Sequence, residues 1–81
     1  MDRQELADIL TAHQIPRSAY SLSGGVPSEA HCLSKESNGT WCVYYSERGR
    51  RSAEAVFELE GEACECLLTR IRSDAAYGKQ W

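Results

Sequence analysis

The tripeptide Ser37-Asn38-Gly39 lies between two stretches that favour extended backbone, Ala30–Glu36 and Thr40–Ser46. Asn-Gly supplies the positive φ angles that a two-residue hairpin turn demands, and β-branched and aromatic residues after it favour a strand. The middle of the chain therefore reads as an antiparallel hairpin. Every other element has to be arranged around it.

Turn and periodicity signals place those elements. Asp2-Arg3-Gln4-Glu5 reads as a capping box, with Asp2 as cap and Glu5 reaching back. Leu6, Ile9, Leu10 and His13 then share one helical face, and Pro16 ends this helix near His13 or Gln14. Tyr20 and Leu22 suggest a short strand, stopped by Gly24-Gly25 and Pro27. Arg48-Gly49-Arg50 makes the next turn, and Ser52–Phe57 is a fourth strand. A closing helix from about Leu59 to Arg72 carries Ala63, Leu67 and Ile71 in one stripe, with Arg70 and Arg72 suited to its C-terminal end. Ser73–Trp81 has no periodicity, so it either frays as a flexible tail or folds Tyr77 and Trp81 back. The expected fold class is α+β: a single small domain spanning residues 1–81, an antiparallel β-meander of three to four strands, and an N-terminal and a C-terminal helix packed on one face.

Strand alternation sorts the side chains of the central strand. Trp41, Val43 and Tyr45 share one face and Cys42 and Tyr44 the other. The first set carries the larger apolar surface and is expected under the helices. A two-residue Asn38-Gly39 turn pairs Leu33 with Tyr44 and Cys32 with Tyr45, whereas a three-residue loop shifts that parity and moves Cys32 to the other face. Tyr44 is thereby left on the face away from the helices, either filling space between strands or anchoring an interface. Glu47 and Arg48 stand at the hairpin tip beyond it, with Arg50 next in line.

Composition narrows the function classes. A chain of 81 residues buries only about 60% of its unfolded surface and has little room for a deep cleft. This favours a binding surface over an enzyme. A net charge of −3 argues against nucleic acid, which wants a basic field. Arg48, Arg50 and Arg51 cluster, and Glu58, Glu60, Glu62 and Glu65 cluster downstream, where they suit a helix N-terminus or an acidic patch. No leader of basic then apolar residues and no run near the ~20 apolar residues of a membrane span is present, so a cytoplasmic protein is expected.

Chemistry-bearing motifs are sparse. His13 and His31 have no acid or nucleophile close in sequence, and no catalytic residue is assigned. Cys64 and Cys66, two apart on a predicted helix, point to nearly opposite sides, and no Cys-x-x-Cys pair occurs. The four cysteines therefore read as reduced and structural, with no metal and no cofactor expected.

One segment carries a family likeness. Trp41-x-Val43-x-Tyr45-x-Glu47-Arg48-Gly49, then Phe57, then Glu62-Ala63-Cys64 followed by Leu67-Leu68, resembles a family of small bacterial immunity proteins encoded beside secreted toxins of interbacterial competition. More narrowly, residues 41–68 are similar to the immunity partner of a type VI secretion effector that hydrolyses NAD(P)+, of the kind related to tuberculosis necrotizing toxin. The resemblance implies inhibition by binding. A 1:1 complex with the cognate toxin would cover its NAD-binding cleft in the cytoplasm, with Tyr44, Glu47, Arg48 and Arg50 as the toxin-binding residues. The alternative is a generic small protein–protein interaction or adaptor module.

Overall fold

The computed structural model describes residues 1–81. Asp2 starts helix α1 (Arg3–Ala12) as a cap, its carboxylate accepting the Glu5 N–H at 2.9 Å. The reciprocal half of the expected capping box is replaced by a long-range contact. The Arg3 N–H donates to Glu60 Oε2 at 2.9 Å, and the Arg3 guanidinium lies 3.5 Å from the same oxygen. The first turn of α1 is thus tied to the start of α2 (Glu60–Ser73).

Between the helices run β1 (Tyr20–Ser21), β2 (Ala30–Lys35), β3 (Trp41–Glu47) and β4 (Arg50–Phe57), in the sheet order β1-β2-β3-β4. The fold is α+β with a mostly antiparallel sheet, as the sequence pattern implies. One strand departs from the meander: β1 runs parallel to β2, pairing Tyr20 with His31 and Ser21 with Cys32. Residues 22–29 are long enough to carry the chain back along β2 before it re-enters the sheet. The Gly24 N–H donates to Leu33 O at 2.9 Å on the way.

The β2–β3 turn corrects a second expectation. Lys35 pairs with Trp41, the Glu36 N–H donates to Thr40 O at 2.8 Å, and the Gly39 N–H to Glu36 O at 3.0 Å. The loop is therefore the three-residue form, with Gly39 alone at positive φ (89°). Asn38 uses its side chain instead, accepting from the Thr40 N–H (3.1 Å) and hydroxyl (2.7 Å). The parity shifts accordingly, so Cys32 faces Tyr44 and Leu33 faces Val43. The two-residue turn with both φ angles positive is formed by Arg48 (52°) and Gly49 (73°), closed by the Glu47–Arg50 pair.

The sheet separates two cores. Leu33, Trp41 and Val43 pack with Leu6 and Leu10 of α1, Ile15, Ala19, and Ala63, Cys64, Leu67 and Ile71 of α2. On the other face Ala30, Cys32, Cys42 and Tyr44 form a smaller cluster. Residues 22–29 reach this face, where the Tyr44 hydroxyl donates to Gly25 O at 2.6 Å. A bulge in β4 opposite Tyr44, with Ala53 at φ 53°, brings Arg51 into register with Ser46. The Arg51 guanidinium then lies 4.2 Å from the centre of the Tyr44 ring.

Tyr44→Ala should destabilise the chain by about 3–5 kcal/mol, as for other large aromatic truncations. Tyr44→Phe should cost about 0.5–1.5 kcal/mol, the net worth of one hydrogen bond. Urea unfolding of both variants measures the difference. Equal losses would mean that the Gly25 contact contributes as much as the ring.

Candidate binding site

Helix α2 follows β4 and packs across β2, β3 and β4. The β3–β4 hairpin turns at Arg48-Gly49, at the far end of β4 from α2's first residue. Its tip presents Glu47, Arg48, Gly49 and Arg50, all exposed. Together with Arg51 and Ser52 the charged residues line an open hollow of about 620 Å³. Arg48 occupies the left-handed backbone region, which costs a non-glycine residue about 1–2 kcal/mol. Neither Arg48 nor Arg50 makes an ion pair within the chain.

The structure brings three of the four expected binding residues together, Glu47, Arg48 and Arg50, and removes the fourth. Tyr44 lies on the face away from the helices, as alternation requires, but that face is covered and the residue is 0% exposed. Burial pushes its phenol above the usual value. It supports the site by seating Arg51, whose guanidinium is further held by Glu36 at 2.9 Å and lies 3.7 Å from Glu54. Arg51 is thus committed to the fold, while its two neighbours in the arginine cluster are free.

On the helix side of the same hairpin lies a shallower recess of about 470 Å³, lined by His31, Tyr45, Ala53, Arg70, Ser73 and Asp74. Tyr45 points to the helix side as expected, beside the last turn of α2, and stays half-buried. It meets the His31 ring edge-on at 5.0 Å. Burial, followed by the nearby carboxylates of Glu29, Glu47 and Asp74, pushes the Tyr45 phenol up, so it stays a protonated donor at ordinary pH.

His31 has the acid partner that its sequence neighbourhood lacks. Its Nε2 lies 2.8 Å from Asp74 Oδ2, across 43 positions of sequence. Asp74 Oδ1 accepts the Ala76 N–H at 2.9 Å. The His31 bond first, and the Ala76 N–H second, hold the Asp74 carboxyl below its usual range. His31 Nδ1 is buried with no partner, so the ring has no second nitrogen turned toward a nucleophile. The pair ties the end of α2 to β2. His13 holds the same C-terminal segment further on, with Nδ1 donating to Gln80 O at 2.9 Å and its ring 4.3 Å from that of Trp81. Tyr77 and Trp81 pack against the main core.

All four cysteines are free thiols. Burial raises the pKa of Cys32, Cys42 and Cys64, which makes them poor nucleophiles. No three His, Cys, Asp or Glu side chains are placed to hold a metal ion. No helix is long and apolar enough to cross a membrane. Comparison with protein-family models, curated proteins and solved structures gives no match in any of the three. The immunity-protein resemblance of residues 41–68 accordingly rests on its own residues.

Asp74→Ala should cost about 1–3 kcal/mol, because it leaves a buried imidazole N–H unpaired. The wild-type contribution has a defined pH sign. A depressed folded-state pKa gives stability that is complete above the unfolded aspartate value of about 3.9 and is lost as pH falls through the folded value. Urea unfolding across that acid range should show a shallower loss in Asp74→Ala than in wild type. Parallel acid limbs would mean that other carboxylates set the slope.

Proposed function

We propose that this chain is an immunity protein: it binds a cognate secreted NAD(P)+ glycohydrolase toxin in the cytoplasm and blocks the active-site cleft, with the β3–β4 hairpin as the element that enters. The observation that carries the reading is the exposed, charged tip of that hairpin. Glu47, Arg48 and Arg50 stand exposed around a tight two-residue turn, and both arginines lack internal partners. Glu47 and Arg48 coincide with the Glu-Arg-Gly part of the segment that resembles the immunity family, and Arg50 follows it directly.

The physics suits inhibition by docking. A tip closed by strand pairing loses little conformational freedom when it docks, so more of the contact energy appears as affinity. Arginine is enriched among residues that dominate binding energies, and unpaired guanidinium groups speed capture of an acidic surface. Tyr44 has no direct contact in this reading. It holds Arg51 and the tip from behind.

Co-expression with an NAD(P)+ glycohydrolase toxin domain, sought first in the genes next to its own, tests the proposal. The chain should restore growth and bind the purified domain as a 1:1 complex. Arg48→Ala and Glu47→Ala should each weaken binding by more than about 1 kcal/mol while leaving thermal unfolding close to wild type. Undiminished killing in the presence of the wild-type chain would sink the immunity reading and leave the adaptor alternative.

A further inference from the structure

We propose that the free edge of β4 pairs with β4 of a second copy of this chain, antiparallel about a two-fold axis, so that the two four-stranded sheets join into one. The inference stands on the sheet edge and does not depend on the immunity reading.

Strand β4 (Arg50–Phe57) ends the sheet and pairs only with β3. None of its eight residues is buried, and none of its backbone groups bonds to a turn, a loop or a helix. Its outer N–H and C=O groups are therefore open to another strand. The strand contains no proline and no lysine, two residues that commonly guard such an edge. The opposite edge, β1, has only two residues and offers no comparable length. Val56 on β4 is 64% exposed and Leu59 just beyond it 63%, the highest values among the large apolar side chains.

The bulge makes the face pattern of β4 symmetrical. Arg50, Ser52, Ala55 and Phe57 stand opposite Glu47, Tyr45, Val43 and Trp41, on the helix side. Arg51 and Val56 stand opposite Ser46 and Cys42, on the other side. The extra residue falls between Ser52 and Ala55, so the order of faces reads the same from either end. When two such strands run antiparallel, Arg50 meets Phe57, Arg51 meets Val56 and Ser52 meets Ala55, each pair on a common face. A regular strand of eight residues, turned about its midpoint, would set every residue against one from the opposite face.

The charges are self-complementary in the same arrangement. Arg50 and Arg51 stand at the turn end of β4, and Glu58 follows its other end. From Ser52 to Thr69 the chain holds five glutamates and no lysine or arginine, so the two ends of the edge differ in sign. Antiparallel pairing sets the cationic end of each copy beside the acidic end of the other. Parallel pairing would stack arginine on arginine, so charge selects the direction. Neither Arg50 nor Glu58 has an ion-pair partner in its own chain. The Glu54 carboxylates nearest the axis bring their own cation, since Arg51 lies 3.7 Å away. The aliphatic stem of Arg51 covers Val56 of the other copy. Glu47 and Arg48 lie past the paired segment and stay open.

Sedimentation of the full chain between about 10 μM and about 1 mM should show the mass rising from 9.1 kDa toward twice that value. Arg50→Glu and Glu58→Arg should each weaken association by about tenfold or more, and the chain carrying both should return to within about threefold of wild type. Val56→Lys, which sets a second cation against Arg51, should weaken it by about tenfold or more. Arg17→Glu, a reversal at an exposed residue beside β1, should stay within about twofold. All four positions are exposed, and thermal unfolding of each variant shows that it folds. A wild-type chain that stays at 9.1 kDa throughout would overturn the proposal and leave the immunity reading intact. A dimer insensitive to all three β4-edge changes would overturn it by placing the interface elsewhere, and single losses without recovery in the swapped chain would overturn the antiparallel pairing. A monomeric chain that loses binding of an NAD(P)+ glycohydrolase toxin domain in Val56→Lys would give the edge to a strand of that partner and overturn the second copy.

Discussion

Strand β3 is buried on both faces, and the rest of the molecule is arranged to cover it. Trp41 and Val43 need one cover and Cys42 and Tyr44 another, because adjacent residues of a strand point in opposite directions. The two helices provide the first. A chain of this length has no third helix to provide the second, so the β1–β2 connection does it, with Gly25 O receiving the Tyr44 hydroxyl. This demand accounts for the parallel β1: the connection has to run from one end of β2 to the other instead of turning tightly back.

The same arrangement sets where contact with a partner is feasible. With both central faces covered, exposed chemistry is displaced to the β3–β4 turn at the end of the sheet. The arginines divide by role. Arg51 is spent on Tyr44, Glu36 and Glu54, whereas Arg48, Arg50 and Arg70 remain uncommitted around the hairpin. The acidic group divides as well, since Glu60 is drawn to Arg3 and fastens the two helices at their N-terminal ends.

Much of this was legible in the sequence because it depends on local rules. Asp2 as a cap, the end of α1 before Pro16, the strand starting at Ala30 and the stripe of Ala63, Leu67 and Ile71 follow from capping chemistry and periodicity alone. What escaped depends on distant pairs. The backbone preference of Asn38-Gly39 points to a two-residue turn, but the Asn38 side chain closes on Thr40 and adds one residue to the loop. Alternation alone puts Tyr44 on the face away from the helices, yet whether that face is wet depends on where residues 22–29 run, which no local pattern encodes. His31 and Asp74 are 43 positions apart, so their pairing is invisible until the sheet and α2 are brought together. The tip residues Glu47, Arg48 and Arg50 were legible because a tight turn with charged residues is exposed in almost any fold.

The exposure of the hairpin tip has an evolutionary consequence. Glu47, Arg48 and Arg50 belong to neither core, so they can be exchanged without disturbing the packing of Val43 or Leu67. A lineage facing a succession of different partners could rewrite this end of the sheet repeatedly on an unchanged scaffold. Divergence would then concentrate in a few positions around one turn, while the buried residues of β3 on the other side of Tyr45 stayed nearly constant.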